Sequence, residues 1–285
     1  MLVGGGAAAV VAALGGGVAA EWDNPRVVRL RGGCGDTPAV PHASYTVTRG
    51  VFDSDAMKAK LPWTVAVPAP DPYRDVPDLG VPVVLCLTGL GDDTDMATTG
   101  IGFPGFATAA KLNLAFAIPG GCGNLYWHPR ADGRDPLEWA VEEFLPMVED
   151  RFTVGRSPSA RATLGWSMGG FGALLAAQQR PELFSAAAAL SPAVFPSYDA
   201  ARSGHPYTFD SADDWARYGL WNHLDELTLP VRVDCGNYDP FAPTARELLE
   251  RIPDAVGGIS SGCHDKAFWR RSATTSLRFL ADSFS

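Results

Sequence analysis

A serine flanked by glycines two residues away on each side is the first feature of the chain that could do chemistry. Gly165-Trp166-Ser167-Met168-Gly169 matches the pattern G-x-S-x-G, with a strand-like run before it and a helix-like run of small residues after it. In this setting the chain makes a tight turn that lifts the serine hydroxyl clear of the backbone and points the next backbone N–H at the same spot. Ser167 is therefore a candidate nucleophile, and the Met168 N–H is a candidate oxyanion donor.

A nucleophilic serine needs a base to take its proton. Where a strand, turn and helix present the serine, the acid follows it in the chain and the histidine comes last. His264 lies in the loop between the last predicted strand and the last predicted helix, whereas His205 and His223 lie in an irregular stretch. His264 is therefore the predicted base.

The acid should follow the strand that precedes the histidine loop. Asp239 occupies that place in the run CGNYD. Its role would be to hold the imidazole in the correct tautomer and to stabilise the imidazolium. Asp234 is the second choice, although it lies within the predicted strand, and Asp225 and Asp265 are more distant alternatives.

The second oxyanion donor should come from the loop after the first central strand. That loop begins Thr88-Gly89-Leu90-Gly91. The backbone N–H of Leu90 is the predicted donor, and Gly89 would let the chain approach a substrate closely.

Alternating strand-like and helix-like segments must position these residues. Predicted strands cover 81–87, 112–118, 161–165, 184–190, 231–235 and 255–260, and predicted helices cover 136–152, 168–179, 244–252 and 266–282. This alternation predicts a mostly parallel central sheet with helices on both faces, an α/β fold. Residues 44–52 and 63–68 alternate like an antiparallel leading pair. Residues 195–229 are too long for an ordinary connection and form either a lid-like insertion or a partly helical excursion.

The composition excludes several classes of protein. The chain has 285 residues, of which 46% are hydrophobic and 19% are charged, with a net charge of −9. These values exclude a disordered chain and a coiled coil. No basic patch is present, so a nucleic acid partner is not expected. The sequence also lacks the spacings C-x-x-C and H-E-x-x-H, and we expect neither a metal nor a cofactor.

The first 20 residues carry no charge, and three interpretations compete for them. They resemble an export signal that ends at Val18-Ala19-Ala20, or a membrane anchor. A dinucleotide-binding loop is the third, but its glycine pattern lacks a full preceding strand. A signal or an anchor is preferred, which predicts a protein that is secreted or attached to the outer side of the membrane. Residues 21–43 then form an irregular arm, and residues 44–285 form one catalytic domain.

Five cysteines leave at least one thiol unpaired. In an exported protein, one or two disulfides are plausible. Cys235 and Cys263 end neighbouring elements beside Asp239 and His264, and a bridge between them is the hypothesis to test. Cys86 lies in an apolar run and is expected to be a small buried residue.

Several longer motifs carry a resemblance to a known family. They are LCLTGLGDD, WAVEEFLPMVEDRF, GWSMGGFGALLAAQQRPELFSAAAALSPA, CGNYDPF and GCHDKAFWRRSATTSLRFL, and they extend from about residue 82 to the end of the chain. Together they resemble the esterase family of α/β-hydrolases that includes esterase D, feruloyl and acetylxylan esterases, and the antigen 85 mycolyltransferases. The resemblance implies an α/β-hydrolase fold with Ser167 as nucleophile, Asp239 as acid and His264 as base, and with Leu90 and Met168 in the oxyanion hole.

Two departures from the family pattern favour an esterase over a mycolyltransferase. Gly91 stands where the mycolyltransferases carry arginine, and Gly169-Gly170 stands where they carry other small residues. Thr88 also replaces the usual histidine or aspartate before the glycine. Candidate substrate-binding residues lie in the neighbouring loops: Gly89, Asn124, Tyr126, Trp127 and Trp166, with Trp215 and Trp221 in the excursion.

Three hypotheses of function follow. The first is a serine carboxylic-ester hydrolase that acts through an acyl-enzyme on a small-molecule or glycan ester. The second is an acyltransferase of the cell envelope that uses the same three residues. The third is an inactive relative that binds an envelope component. Separately from these hypotheses, the N-terminus is a candidate for association with the membrane or the cell envelope.

Overall fold

A single eight-stranded sheet organises the protein. The computed structural model describes residues 33–70 and 80–284, so the predicted signal or anchor lies outside the described residues. The strands lie in the order β1-β2-β4-β3-β5-β6-β7-β8. Their bounds are β1 Tyr45–Ser54, β2 Ala59–Pro68, β3 Val83–Leu87, β4 Ala115–Pro119, β5 Arg161–Trp166, β6 Ala186–Leu190, β7 Val231–Gly236 and β8 Val256–Ser260.

The direction of the strands brings the candidate site to one edge of the sheet. β1 and β2 form an antiparallel hairpin, and β2 is also antiparallel to β4. The six strands β3 to β8 run parallel. Leu87 pairs with Gly165, and Gly236 pairs with Ser260. The loops after β3, β5, β7 and β8 therefore start at the same edge, because parallel strands end together there.

Helices cover both faces of the sheet. The uninterrupted helices are α1 Phe103–Ala109, α3 Met168–Gln179, α4 Tyr198–Gly204, α5 Ala212–Tyr218, α6 Ala242–Arg251 and α7 Lys266–Asp282. Helix α2 consists of three consecutive segments, Pro136–Glu138, Trp139–Phe144 and Leu145–Phe152. The middle segment of α2 is π-helical, as is the turn Met96–Ile101 before α1. Short 3₁₀ turns cover Pro158–Ala160, Pro181–Leu183, Leu220–Asn222 and Leu224–Glu226.

Alternate residues of the central strands supply two separate cores. Val83, Leu85 and Leu87 face the core beneath α2, α3 and α6. Val84 and Cys86 face the opposite core, beneath α1 and α7. This two-sided burial is what continuous apolar strands require, and the predicted α/β class is confirmed. Cys86 is wholly buried, as predicted, and burial raises the pKa of its thiol.

The described part of the arm lies along the C-terminal helix without forming a helix or a strand. Arg270 on α7 donates to the Pro38 carbonyl at 3.0 Å, and Arg271 donates to the Cys34 carbonyl at 2.7 Å. Arg271 also donates to the Ser261 carbonyl at 3.0 Å. One guanidinium therefore joins the arm to the loop that carries His264.

A disulfide joins the same two segments, and it differs from the predicted one. Cys34 pairs with Cys263, with their Cα atoms 4.9 Å apart, whereas Cys235 is a free buried thiol. The Cys235–Cys263 hypothesis is wrong because Cys235 faces the core of the sheet. Cys263 instead faces the arm, where only Cys34 packs against it among the clustered hydrophobic residues of the described chain.

Removing this bridge should lower stability. It closes a loop of 229 residues, for which chain entropy gives about 5 kcal/mol as an upper value. We expect Cys34→Ser to lose about 2–5 kcal/mol of unfolding free energy in urea titrations. As the control, a reductant should lower the stability of the wild-type protein to the same level and leave that of the variant unchanged. Equal stability of Cys34→Ser and the oxidised wild type would contradict this expectation.

The stretch 195–229 packs onto the loop that follows β4. The Arg130 side chain donates to the Thr208 carbonyl at 2.8 Å, and the Ala131 N–H donates to Asp210 at 2.7 Å. Phe209 and Leu220 are buried in the core beneath it. The stretch contains α4 and α5, and its role as a lid stays a prediction.

Candidate active site

The turn between β5 and α3 holds Ser167 in an unusual backbone conformation. Its φ is 56° and its ψ is −124°, a region that residues with a Cβ rarely adopt. Main-chain hydrogen bonds fix the turn on both sides: the Ser167 N–H donates to the Leu190 carbonyl at 2.9 Å, and the Ala193 N–H donates to the Ser167 carbonyl at 3.0 Å. The surrounding sheet therefore imposes the strained geometry.

The two glycines of the motif are required by space. A Cβ on Gly165 would overlap the carbonyl of Gly169, and a Cβ on Gly169 would overlap the carbonyl of Leu87. Both obstacles are backbone atoms, which cannot move aside as the end of a side chain can. The strand, the turn and the helix approach one another more closely than any other residue type permits.

Replacing either glycine should damage both folding and activity. We expect Gly165→Ala and Gly169→Ala to cost about 3 kcal/mol of stability, at the upper end of ordinary overpacking. Any folded fraction should turn over esters about 10²-fold more slowly, because the hydroxyl is displaced. Gly258→Ala is the matched control, since a Cβ there meets no atom within 4 Å. Wild-type melting temperature and kcat in the two motif variants would refute the steric argument.

A continuous hydrogen-bonded chain joins the three residues predicted to act together. His264 Nε2 lies 2.8 Å from Ser167 Oγ, and His264 Nδ1 lies 2.8 Å from Asp239 Oδ2. The Phe241 N–H donates to the other carboxylate oxygen of Asp239 at 2.9 Å. Asp239 is buried, whereas 26% of the His264 side chain remains exposed. The arrangement suits proton transfer from the hydroxyl to the ring.

The loops of Asp239 and His264 are also bonded to each other. The Tyr238 N–H donates to the Gly262 carbonyl at 2.9 Å, and the Gly262 N–H donates to the Asn237 side chain at 3.0 Å. Phe241 and Trp269 pack on the His264 ring, each with a centroid distance of 5.5 Å. These contacts hold the imidazole between the acid and the serine.

The alternative acids and bases are engaged elsewhere. Asp234 pairs with Arg232, Asp265 caps the start of α7, and Asp225 is exposed in the excursion. His205 packs near Tyr126, with ring centroids 5.8 Å apart, and His223 lies 3.0 Å from Glu226. Within the described residues, the side-chain partner of the Ser167 hydroxyl is His264 and none of these five.

The two predicted oxyanion donors lie on the segments expected to carry them. Met168 is the first residue of α3, where a backbone N–H has no acceptor within the helix. Leu90 lies in a turn closed by the Asp92 N–H, which donates to the Gly89 carbonyl at 3.2 Å. Within the described residues, no backbone carbonyl accepts the Leu90 N–H.

The predicted substrate-binding residues divide into two groups. Trp127 and Trp166 are wholly buried, so their side chains offer no surface to a ligand, in contrast to the expectation. The Trp127 indole N–H donates to the Thr88 carbonyl at 3.1 Å, and the Trp166 indole N–H donates to Asp92 at 2.7 Å. Both rings therefore support the loop after β3 from behind.

The other predicted residues differ in their exposure. Asn124 is exposed, and Gly89 lies in the turn beside Leu90. Tyr126 is buried near the excursion, where burial raises the pKa of its hydroxyl to about 12 against an opposing hydrogen bond from Thr208. The two tryptophans of the excursion, Trp215 and Trp221, are both partly buried and pack against the core beneath it.

Sequence reasoning did not single out two aromatic residues beside Asp239. Phe241 packs on His264, and Tyr238 is 42% exposed in the acid loop. Both lie within two residues of Asp239, so their position in the run CGNYDPF was the available signal.

The described residues contain neither a cluster of metal-ligating side chains nor a helix suited to span a membrane. No group of three or more His, Cys, Asp or Glu side chains in residues 33–70 and 80–284 could hold a metal ion. In the same ranges, none of the helices combines the length and the hydropathy that crossing a membrane would need.

A family model described as "Putative esterase" matches residues 54–255, which is most of the chain. The chain belongs to this esterase family. It has the α/β-hydrolase fold. The resemblance seen in the sequence motifs is confirmed.

The chain matches two curated relatives over part of their length. Esterase Rv1288 of Mycobacterium tuberculosis strain H37Rv is 34% identical over 115 residues, and Esterase MT1326 of strain CDC 1551 matches equally well. The match covers 39% of this chain and a quarter of each relative. The relatives are therefore much longer than the matched region.

Several solved structures share the fold of this chain. A ferulic acid esterase is 21% identical with a TM-score of 0.68, covering 86% of this chain and 100% of the other. An S-formylglutathione hydrolase from Agrobacterium tumefaciens is 18% identical with a TM-score of 0.69, covering 86% and 97%. MPT51 of Mycobacterium tuberculosis is 13% identical with a TM-score of 0.63, covering 84% and 99%.

Proposed function

We propose that the enzyme hydrolyses carboxylic esters through an acyl-enzyme formed on Ser167. The observation that carries the proposal is the unbroken chain of hydrogen bonds from Asp239 through His264 to the Ser167 hydroxyl. A serine is a weak nucleophile unless a neighbouring base removes its proton as the new bond forms. A histidine that is 2.8 Å from the hydroxyl is close enough to do so.

Acylation uses these groups in order. Ser167 Oγ attacks the ester carbonyl while His264 Nε2 takes the hydroxyl proton. His264 then gives this proton to the departing alkoxide, and the alcohol leaves. Asp239 accepts from Nδ1–H throughout, which leaves Nε2 free to act as the base and stabilises the imidazolium.

Deacylation repeats the sequence with water. His264 takes a proton from a water molecule, whose oxygen attacks the acyl-enzyme, and then returns the proton to Ser167 Oγ as the acid is released. In both steps the negative carbonyl oxygen would be held by the N–H groups of Leu90 and Met168. Such donors act through preorganised charge, and each is worth about 3 kcal/mol.

Hydrolysis is preferred over acyl transfer as the outcome. The exposed quarter of the His264 side chain lets water reach the position that a second nucleophile must occupy. Transfer to a sugar hydroxyl on the same triad is the alternative. Product analysis with a glycan acceptor separates the two, because a transferase would yield an acylated glycan and a hydrolase would yield free acid only.

We also propose that the enzyme works outside the cytoplasm, either secreted or attached through its N-terminus to the outer side of the cell membrane. The Cys34–Cys263 disulfide supports this, because structural disulfides persist in oxidising compartments. Fractionation of the native host should find the enzyme outside the cytoplasm. Recovery of the whole pool in the cytoplasm, with both thiols reduced, would contradict it.

The experiment that tests the proposed activity combines turnover and labelling. A panel of p-nitrophenyl esters of increasing acyl length should be hydrolysed by the purified enzyme, and a fluorophosphonate probe should abolish that hydrolysis in proportion to labelling. Failure to label, together with no turnover of any ester, would favour the inactive binding protein.

A further inference from the structure

The carboxylate of Asp92 connects the two segments that carry the proposed oxyanion donors. Asp92 lies two residues after Leu90, in the loop that follows β3. Its Oδ2 accepts the indole N–H of Trp166 at 2.7 Å. Trp166 is wholly buried at the end of β5 and directly precedes Ser167. One side-chain hydrogen bond therefore links the loop to the strand that delivers the nucleophile.

Backbone hydrogen bonds of the same loop hold Leu90 in place. The Asp92 N–H donates to the Gly89 carbonyl at 3.2 Å, and the Gly91 N–H donates to the Gly123 carbonyl at 3.3 Å. The backbone of Gly89 also lies close enough to the Asp92 carboxylate to lower its pKa. Leu90 is thus held on both sides, while its own N–H has no backbone acceptor in the described residues.

Space around this link is tight. A Cβ on Gly89 would lie 2.7 Å from Asp92 Oδ2 and 3.0 Å from the Trp166 indole nitrogen. Only a glycine lets the loop backbone pass beside the hydrogen bond. The Asp92–Trp166 hydrogen bond therefore requires a glycine at position 89, in addition to any role of this glycine in letting the substrate approach.

Placing a charged carboxylate at this partly buried position has a desolvation cost. Partial burial raises the pKa of Asp92, and the neighbouring carboxylate of Asp93 adds to the effect. The indole hydrogen bond and the charge of Lys266 oppose it. A neutral side chain could fill the volume without this desolvation, so the feature that distinguishes Asp92 is a strong acceptor aimed at the indole.

We propose that Asp92 is a positioning residue, which holds the Leu90 N–H over Ser167 through its hydrogen bond to Trp166. The inference rests on the proposed function, in which the Leu90 N–H binds the oxyanion. It assigns Trp166 a matching role: its indole is the fixed point to which the loop is attached, and it does not contact the substrate.

Three variants test this role. Asp92→Ala and Trp166→Phe each remove one partner of the hydrogen bond, and each should lower kcat about 10- to 50-fold, less than the full loss of an oxyanion donor. KM for a short p-nitrophenyl ester should change less than about threefold, because the donor acts chiefly in the transition state. Asp92→Asn keeps an oxygen acceptor for the indole and should retain kcat within about threefold.

The inhibition constant of a boronic acid distinguishes a positioning role of Asp92 from a purely structural role in packing. The boronic acid forms a tetrahedral adduct with the active serine that mimics the oxyanion intermediate. Its inhibition constant should rise in Asp92→Ala by about the factor by which kcat/KM falls, since both depend on the same donor. Asp93→Asn is the matched control, because it removes the adjacent negative charge and leaves the indole hydrogen bond intact.

The outcomes separate this inference from the proposed function. If Ser167→Ala is inactive while Asp92→Ala keeps wild-type kcat and inhibitor affinity, the positioning role is overturned and the function stands. Loss of stability in Asp92→Ala without the matched change in inhibitor affinity also overturns it. If Ser167→Ala remains active, the proposed function itself fails. Should Trp166→Phe not fold, the comparison of Asp92→Ala with Asp92→Asn decides alone.

Discussion

Ser167→Ala should reduce ester hydrolysis by about 10⁶-fold in kcat, the size of loss that removal of the nucleophile causes in other serine hydrolases. The alanine removes only the hydroxyl oxygen and leaves the strained turn in place. His264 would keep its bond to Asp239 but would have no proton to take from a nucleophile. The melting temperature should change little, because the hydroxyl contributes one partly exposed hydrogen bond.

The measurement is steady-state hydrolysis of a short p-nitrophenyl ester, with protein purified free of host esterases. Ser261→Ala is the matched control, since that serine lies in the histidine loop but is not part of the proposed triad. Its hydroxyl donates to the Gly33 carbonyl at 3.3 Å. The control should keep kcat within about threefold, as surface substitutions commonly do. Substantial turnover by Ser167→Ala would place the nucleophile elsewhere.

Asp239→Asn should lower kcat by about 10⁴-fold with little change in KM. The asparagine has nearly the same shape, so the loop should keep its fold and its contacts with the histidine loop. An amide NH₂ facing Nδ1 would favour the tautomer with the proton on Nε2, which cannot accept the serine proton. In the proposed mechanism, the buried carboxylate would therefore act through His264 and not on the substrate.

Asp225→Asn is the control for this prediction, because Asp225 is an exposed carboxylate of the excursion that follows Ser167 in the chain. Its kcat should remain close to that of the wild type. Equal losses in the two variants, or a kcat for Asp239→Asn within tenfold of the wild type, would show that Asp239 does not orient the base.

The sequence predicts best where a local steric rule fixes the structure. The helix Met168–Gln179 and the helix Lys266–Asp282 have the bounds expected from their patterns. The G-x-S-x-G turn also follows from the chain itself, because Gly165 and Gly169 leave no room for a Cβ. His264 could be selected from the order of the elements, since parallel strands bring their carboxyl ends to one edge.

The features that sequence reasoning missed depend on contacts distant in the chain. Cys34 and Cys263 are separated by 229 residues, and no local pattern shows that the arm reaches the histidine loop. The helix Phe103–Ala109 contains a glycine and a proline that lower its helix propensity. It forms because Phe103 and Phe106 are buried in the core that it shares with the C-terminal helix.

The tryptophans illustrate a different limit. Its position in the G-x-S-x-G motif suggests substrate contact for Trp166. The side chain instead lies on a buried face of β5, and its indole N–H donates a hydrogen bond to Asp92. A sequence shows that an aromatic residue is near the nucleophile. Only the packing shows whether its ring faces the ligand or supports the loop that does.

Peptide mass spectrometry of the trapped acyl-enzyme tests the central claim most directly. The enzyme would be quenched in acid during turnover of a p-nitrophenyl ester, digested and mapped. The mass of the acyl group should appear on the peptide that contains Ser167, and it should be absent from Ser167→Ala treated in the same way. An acyl group on another residue, or its equal recovery from Ser167→Ala, would contradict the mechanism.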